Sequence, residues 1–115
     1  MGNLPSAKQS PRIVNGVIKW YQGDTFKLEI EIELEDQDGE PVEIKDTDTV
    51  DIIFLDKRKK HIRRFFFENI TDNIVSLEFD DAITALFDKG EYTYDVYYTG
   101  ENRVTIANDN KVTVE

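Results

Sequence analysis

The residues with the most chemical potential in this chain are basic and crowded into nine positions. In DKRKKHIRR, residues 56 to 64, Lys57, Arg58, Lys59, Lys60, Arg63 and Arg64 supply 6 of the 14 basic residues. Six bases and one acid make that window +5, which leaves −15 for the rest of a chain whose net charge is −10. Concentrated charge of one sign steers negative partners toward a surface, and Phe65, Phe66 and Phe67 follow directly. Water alone could surround a strand-linking hairpin of this kind, since charged edges block unwanted strand pairing. Otherwise the run suits an acidic protein surface, including one on a second copy of the chain. The overall negative charge disfavours nucleic acid and anionic membrane as partners. The six cations are therefore the candidate protein-binding residues.

Other chemistry has thinner support. His61 is the sole histidine and no Cys is present, so a His- or thiolate-based zinc site lacks its ligands and no nucleophile is paired with the ring. The acidic stretch Glu35, Asp36, Asp38, Glu40, Glu43, Asp46 and Asp48 begins like a calcium loop at Asp36-Gln37-Asp38-Gly39. Thr47 stands where such a loop needs its bidentate Glu, and no helices flank it. An Asp-Gly turn is expected there, with adventitious Ca²⁺ binding as the alternative. With 24 carboxylates no pair stands out for acid/base work, and the glycines form no phosphate-cradling loop. No catalytic residue, metal ligand or cofactor-binding residue is assigned. Tyr92, Tyr94, Tyr97 and Tyr98 form the densest aromatic group; Tyr94 and Tyr98 share a face suited to a core, and Tyr97 points the other way, as an interface residue would.

These residues must be positioned by a small fold. A chain of 115 residues is the size of one domain, and without Cys its stability rests on its core. The first 12 residues, with Gly2, Pro5 and Pro11, read as a flexible tail before a β-sandwich domain over 13–115. No apolar h-region or membrane-length apolar stretch occurs, and the chain reads as a soluble, unexported protein.

Alternation with a period of two dominates the remainder. In TFKLEIEIEL, residues 25–34, Phe26, Leu28, Ile30, Ile32 and Leu34 share one face while Lys27, Glu29, Glu31 and Glu33 share the other, the pattern of a half-buried antiparallel strand. The period recurs at Val50/Ile52/Phe54, Val75/Leu77/Phe79, Tyr92/Tyr94/Val96/Tyr98 and Val104/Ile106. Turn signals separate the runs: Gly23-Asp24, Asp38 to Pro41, Lys57 to Lys60, Thr71 to Asn73, Lys89-Gly90, Gly100 to Asn102 and Asp109-Asn110. Seven or eight such strands predict an all-β, immunoglobulin-like antiparallel sandwich. Asp80 to Phe87 breaks the period and predicts one helical turn crossing between the sheets. Ile30, Ile32, Phe54, Leu77, Tyr94 and Val96 are the expected core.

Three segments carry a family resemblance: WYQGDTFKLEIEIEL at 20–34, DGEPVEIKDTDTVDIIF at 38–54 and LEFDDAITALFDKGEYTYDVYYT at 77–99. Together they resemble small β-sandwich domains of phage and prophage tail or baseplate proteins from Gram-positive bacteria. Its elements fall on Gly23-Asp24, Gly39 with Pro41, Val50 to Phe54, Asp80 to Phe87, and Gly90-Glu91-Tyr92-Thr93-Tyr94-Asp95. The resemblance implies a non-catalytic assembly module that meets other virion or tail proteins, or copies of itself, without a cofactor. A carbohydrate-binding or adhesion sandwich is the alternative. Such a module exposes coplanar aromatics, and Trp20 and Tyr21 sit on opposite faces of one strand.

Overall fold

The structure, a computed structural model, describes residues 12–14, 17–36, 38–101 and 103–115. The expected tail lies almost wholly outside the described residues. Among the described residues eight strands and one short helix follow in the order β1 (Arg12–Val14), β2 (Val17–Trp20), β3 (Phe26–Glu31), β4 (Thr49–Leu55), β5 (His61–Glu68), β6 (Ile74–Phe79), α1 (Asp81–Thr84), β7 (Gly90–Thr99) and β8 (Arg103–Val114). They form a six-stranded sheet in the order β1-β2-β8-β7-β4-β5 and a two-stranded sheet of β3 and β6. The fold is an all-β, two-sheet sandwich, as the alternation predicts.

The period of two is what packs the sheets together. Val50, Ile52 and Phe54 of β4 and Val75, Leu77 and Phe79 of β6 all turn inward and are buried. Trp20 is fully buried and takes up a central place, its ring 5.1–6.4 Å from those of Phe26, Phe54, Phe79 and Phe87. Edge-to-face and tilted pairs of this kind stabilise a core beyond area burial. Of the expected core, Ile32, Phe54, Leu77 and Val96 are buried, while Ile30 and Tyr94 are half-buried against the cluster.

The helical turn also forms where expected. Asp80 caps it, its carboxylate accepting from the Ile83 N–H at 3.0 Å, and α1 joins β6 in one sheet to β7 in the other. Phe87 packs inward, but Leu86 stays exposed.

Three details differ from the expectation. β2 runs parallel to β8, a pairing open to it because the chain from β3 to β7 lies between the two strands and supplies the long crossover a parallel pair needs. β3 ends at Glu31, where the Ile32 N–H leaves the β6 ladder and donates to the Asn73 carbonyl. Asp109-Asn110 is not a turn. It lies within the 12-residue β8, where Asp109 adopts φ 55° and the β7 register slips. The bulged Asp109 N–H is met by the buried Asp95 carboxylate at 2.8 Å, so the strand continues past the irregularity.

Candidate functional site

β4 and β5 form a hairpin at one edge of the larger sheet, and residues 56–60 form its tip. The Asp56 N–H donates to the Lys60 carbonyl and the Lys59 N–H to the Asp56 carbonyl, both at 3.0 Å. Asp56 Oδ1 accepts from the Arg58 and Lys60 N–H groups at 2.8 and 2.9 Å. This is a three-residue loop with a left-handed fourth position: Lys59 has φ 65°. The Lys60 N–H, then the Arg58 N–H and both side-chain charges, hold the Asp56 carboxyl below its ordinary value. One acid thus organises the loop that presents four bases.

The six cations do not form one patch. Lys57, Arg58 and Lys60 are exposed and make no ion pair among the described residues. Lys59 is committed elsewhere: its ammonium meets Asp109 Oδ1 at 2.6 Å, and that bond raises its pKa above the ordinary lysine value. Arg63 and Arg64 diverge, as neighbours on a strand must. Arg63 stands opposite Phe54 with its guanidinium 5.5 Å from the Phe65 ring centre. Arg64 stands opposite Ile53 on the outer face, 2.5 Å from Asp51 Oδ1 and 5.0 Å from the Phe66 ring centre.

That outer face has an organisation the alternation alone does not reveal. Phe66, Asp51 and Tyr97 lie side by side across β5, β4 and β7. Tyr97 points outward, as its position on β7 predicts, and its hydroxyl donates to Asp95 at 3.1 Å. The Arg103 guanidinium covers its ring at 4.3 Å. Phe66 is 47% exposed, one of four large apolar side chains so open among the described residues. His61 is exposed, and among the described residues no group of three or more His, Cys, Asp or Glu is placed to hold a metal.

The acidic stretch is built on the same plan as the basic tip. The Asp36 N–H donates to the Glu40 carbonyl and the Gly39 N–H to the Asp36 carbonyl, while Asp36 Oδ1 accepts from Asp38 and Glu40 at 2.9 and 3.0 Å. Gly39 takes the left-handed position at φ 81°. The Asp-Gly turn is thus present, with Asp36 oxygen engaged by backbone donors. Asn73, read from sequence only as a turn residue, holds the whole loop: its amide donates to the Ile32 and Val42 carbonyls at 3.2 and 3.0 Å, and its Oδ1 accepts from Ile44 at 2.8 Å. Its positive φ, 57°, is a conformation Asn tolerates, which is the one sequence signal it offers.

A groove of about 450 Å³ separates this loop from the β7–β8 hairpin, lined by Glu35, Val42, Lys45, Asp48, Tyr98 and Val104 among others. The Tyr98 hydroxyl donates to the buried Asp48 Oδ2 at 2.5 Å, and the Lys45 N–H donates to the same oxygen at 3.0 Å. Burial, then the Asp48 carboxylate, push the Tyr98 pKa up to about 12, and the same hydroxyl lowers that of Asp48. A Cβ at Gly100 would lie 2.5 Å from this hydroxyl, so the lock requires glycine there.

Compared with protein-family models, curated proteins and solved structures, the chain matches none. No helix among the described residues is long and apolar enough to cross a membrane.

Proposed function

We propose that this chain is a non-catalytic assembly module of the phage or prophage tail and baseplate kind. It is built on an immunoglobulin-like sandwich and joins neighbouring subunits through its basic hairpin and the adjoining sheet edge. The observation that carries this reading is the hairpin tip. Asp56 fixes its backbone, and Lys57, Arg58 and Lys60 project from it without carboxylate partners among the described residues, on a chain that is otherwise strongly acidic. A preorganised, unpaired charge cluster raises association rate and selects acidic partners.

The immunoglobulin-like assignment rests on strand order: the early strand β2 runs parallel to the last strand β8, and β3 and β6 make the opposing sheet. The residues behind the family resemblance serve backbone and packing, which suits a module without chemistry. Gly23, Gly39 and Gly90 all have positive φ, and Tyr92 and Tyr94 pack on Phe87 and Phe54. Against a sugar-binding role stand the burial of Trp20 and the guanidinium covers on Phe66 and Tyr97, which occupy the ring faces a pyranose would stack on.

The reading is tested on particles. Antibody raised against the domain should label tails or baseplates in electron micrographs of particles induced from the strain that carries the gene. Unlabelled particles, together with specific binding on a glycan array, would replace this reading with the carbohydrate-binding one. A variant with Lys57, Arg58 and Lys60 changed to Ser should incorporate poorly into the same particles, and unchanged incorporation would reduce the tip to a solvated hairpin.

A further inference from the structure

β5 is the last strand of the six-stranded sheet, and among the described residues it pairs with β4 alone. Every second N–H and C=O along its eight residues therefore points away from the sheet. Folded proteins blunt such edges with proline, bulges, short strands or charges that a second strand leaves unmatched. β5 has no proline, its one register shift lies at the His61 end, and Phe65, Phe66 and Phe67 run along it. Opposite β4, Phe65 and Phe67 face the core side with Ile52 and Val50, while Arg64, Phe66 and Glu68 face outward with Ile53, Asp51 and Thr49.

The sequence of the strand is complementary to itself when read backwards. Let two copies pair antiparallel about Phe66, on a two-fold axis perpendicular to the sheet, so that their outer faces lie on one side. Phe66 then meets Phe66, Arg64 meets Glu68 of the second copy, and Glu68 meets its Arg64. On the core side Phe65 and Phe67 meet Phe67 and Phe65. Directly opposed residues of an antiparallel pair are the ones that interact, and opposite charges and aromatic pairs both stabilise it. Centring the pair on Arg64 instead would oppose two arginines, and centring it on Phe65 would leave both charges opposite aromatic or aliphatic side chains. Pairing about Phe66 also brings the Lys60 end of each hairpin beside the turn that follows Glu68 in the other copy, where Asp72 is exposed.

Resting on the assembly reading above, we infer that the β5 edge is the site of self-association: two copies join by isologous antiparallel pairing of His61–Glu68 centred on Phe66, making one continuous twelve-stranded sheet. Such a contact closes after two subunits. It leaves the hairpin tips and the acidic loops free for other partners.

The test is light scattering and sedimentation equilibrium on the full chain and a set of variants, each checked for an unchanged thermal midpoint. The native chain should show the mass of two chains. Phe66→Glu, at a side chain already half open to solvent, should be monomeric. Arg64→Glu and Glu68→Arg should each weaken the dimer about tenfold through two symmetric repulsions, and the double variant Arg64→Glu/Glu68→Arg should regain most of the loss. A native chain that stays monomeric at its highest soluble concentration overturns the inference and leaves the assembly reading to the particle-labelling experiment. A dimer lost on changing Lys57, Arg58 and Lys60 to Ser but kept by Phe66→Glu also overturns it, since association would then run through the tip and not the edge. Failure of the double variant to recover, in an Asp51→Asn background that removes the carboxylate beside position 64, excludes this register.

Discussion

The turn at Asp36–Glu40 and the turn at Asp56–Lys60 share a backbone hydrogen-bond plan and carry opposite charge. In each, an aspartate at the first position accepts two N–H groups and the fourth residue adopts a left-handed conformation. They differ in what holds them. The basic turn closes a seven-residue strand on an eight-residue partner, so a long ladder, with one register shift beside the turn, fixes it. The acidic turn closes only the short bridge Glu35–Pro41, and its loop is held from outside by the Asn73 side chain and by Asp48. Equal local geometry thus coexists with unequal support, and of the two turns it is the basic one that the sheet backs.

The two turns should part most strongly at the root of the acidic loop. Ile32 is buried where β3 ends and this loop begins, and Ile32→Ala should lower stability by roughly 2 to 5 kcal/mol. Chemical denaturation measures it, and a change within experimental error would show that the Ile32 side chain is not packed. Asn73→Ala should come next, at roughly 2 to 3 kcal/mol, because it strands two carbonyls and one N–H that are partly buried. Hydrogen exchange in that variant should quicken across residues 32–44 and stay unchanged across 54–62. Equal quickening in both regions would mean that the two loops do not have separate supports.

A smaller effect sharpens the parallel itself. Gly39 has open space around its missing Cβ, so only its φ of 81° opposes substitution, and Gly39→Lys should cost about 1 kcal/mol. Lys59 already adopts that conformation with a full side chain, so Lys59→Gly should raise the thermal midpoint, less whatever its exposed pair with Asp109 contributes. If both changes destabilise, the two fourth positions are not equivalent.

How much of this was legible in the sequence follows from which contacts are local. The period of two located the buried residues of β4 and β6, and Asp38-Gly39 and Asp80 announced a turn and a helix cap, because each of these signals is decided by neighbours a few positions away. Asn73 was invisible as an anchor, since its three partners lie 29, 31 and 41 residues from it. The basic run read as one cluster, yet the strand pleat sends Arg63 and Arg64 to opposite faces and Asp109, 50 residues from Lys59, claims its charge. Asp109 itself read as a turn, because its fitness for positive φ serves turns and bulges alike. Only the β7 register and the Asp95 carboxylate decide between them.

The smallest expected effect concerns the lock at the far end of the acidic loop and appears only in alkali. In the folded chain burial and the Asp48 carboxylate raise Tyr98 to about 12, from an ordinary value of 10.0. A group whose pKa is raised on folding contributes stability that is complete below its unfolded value and is lost as pH climbs through its folded value. Tyr98 should therefore cost the protein stability between about pH 10 and pH 12, as the hydroxyl that donates to Asp48 is titrated away. Asp48 has the opposite sign: its pKa is lowered by Tyr98 and the Lys45 N–H, so its contribution is present above the ordinary carboxylate value and fades in acid. Tyr92, Tyr94 and Tyr97 are also raised, so alkaline loss by itself does not identify the lock. Tyr98→Phe separates them, because it deletes one hydroxyl and leaves the other three. The variant should be less stable than the native chain at pH 8, and the gap between them, read by urea denaturation, should narrow as pH rises from 10 to 12. A gap that stays constant over that interval would mean that the Tyr98–Asp48 hydrogen bond does not support the acidic loop.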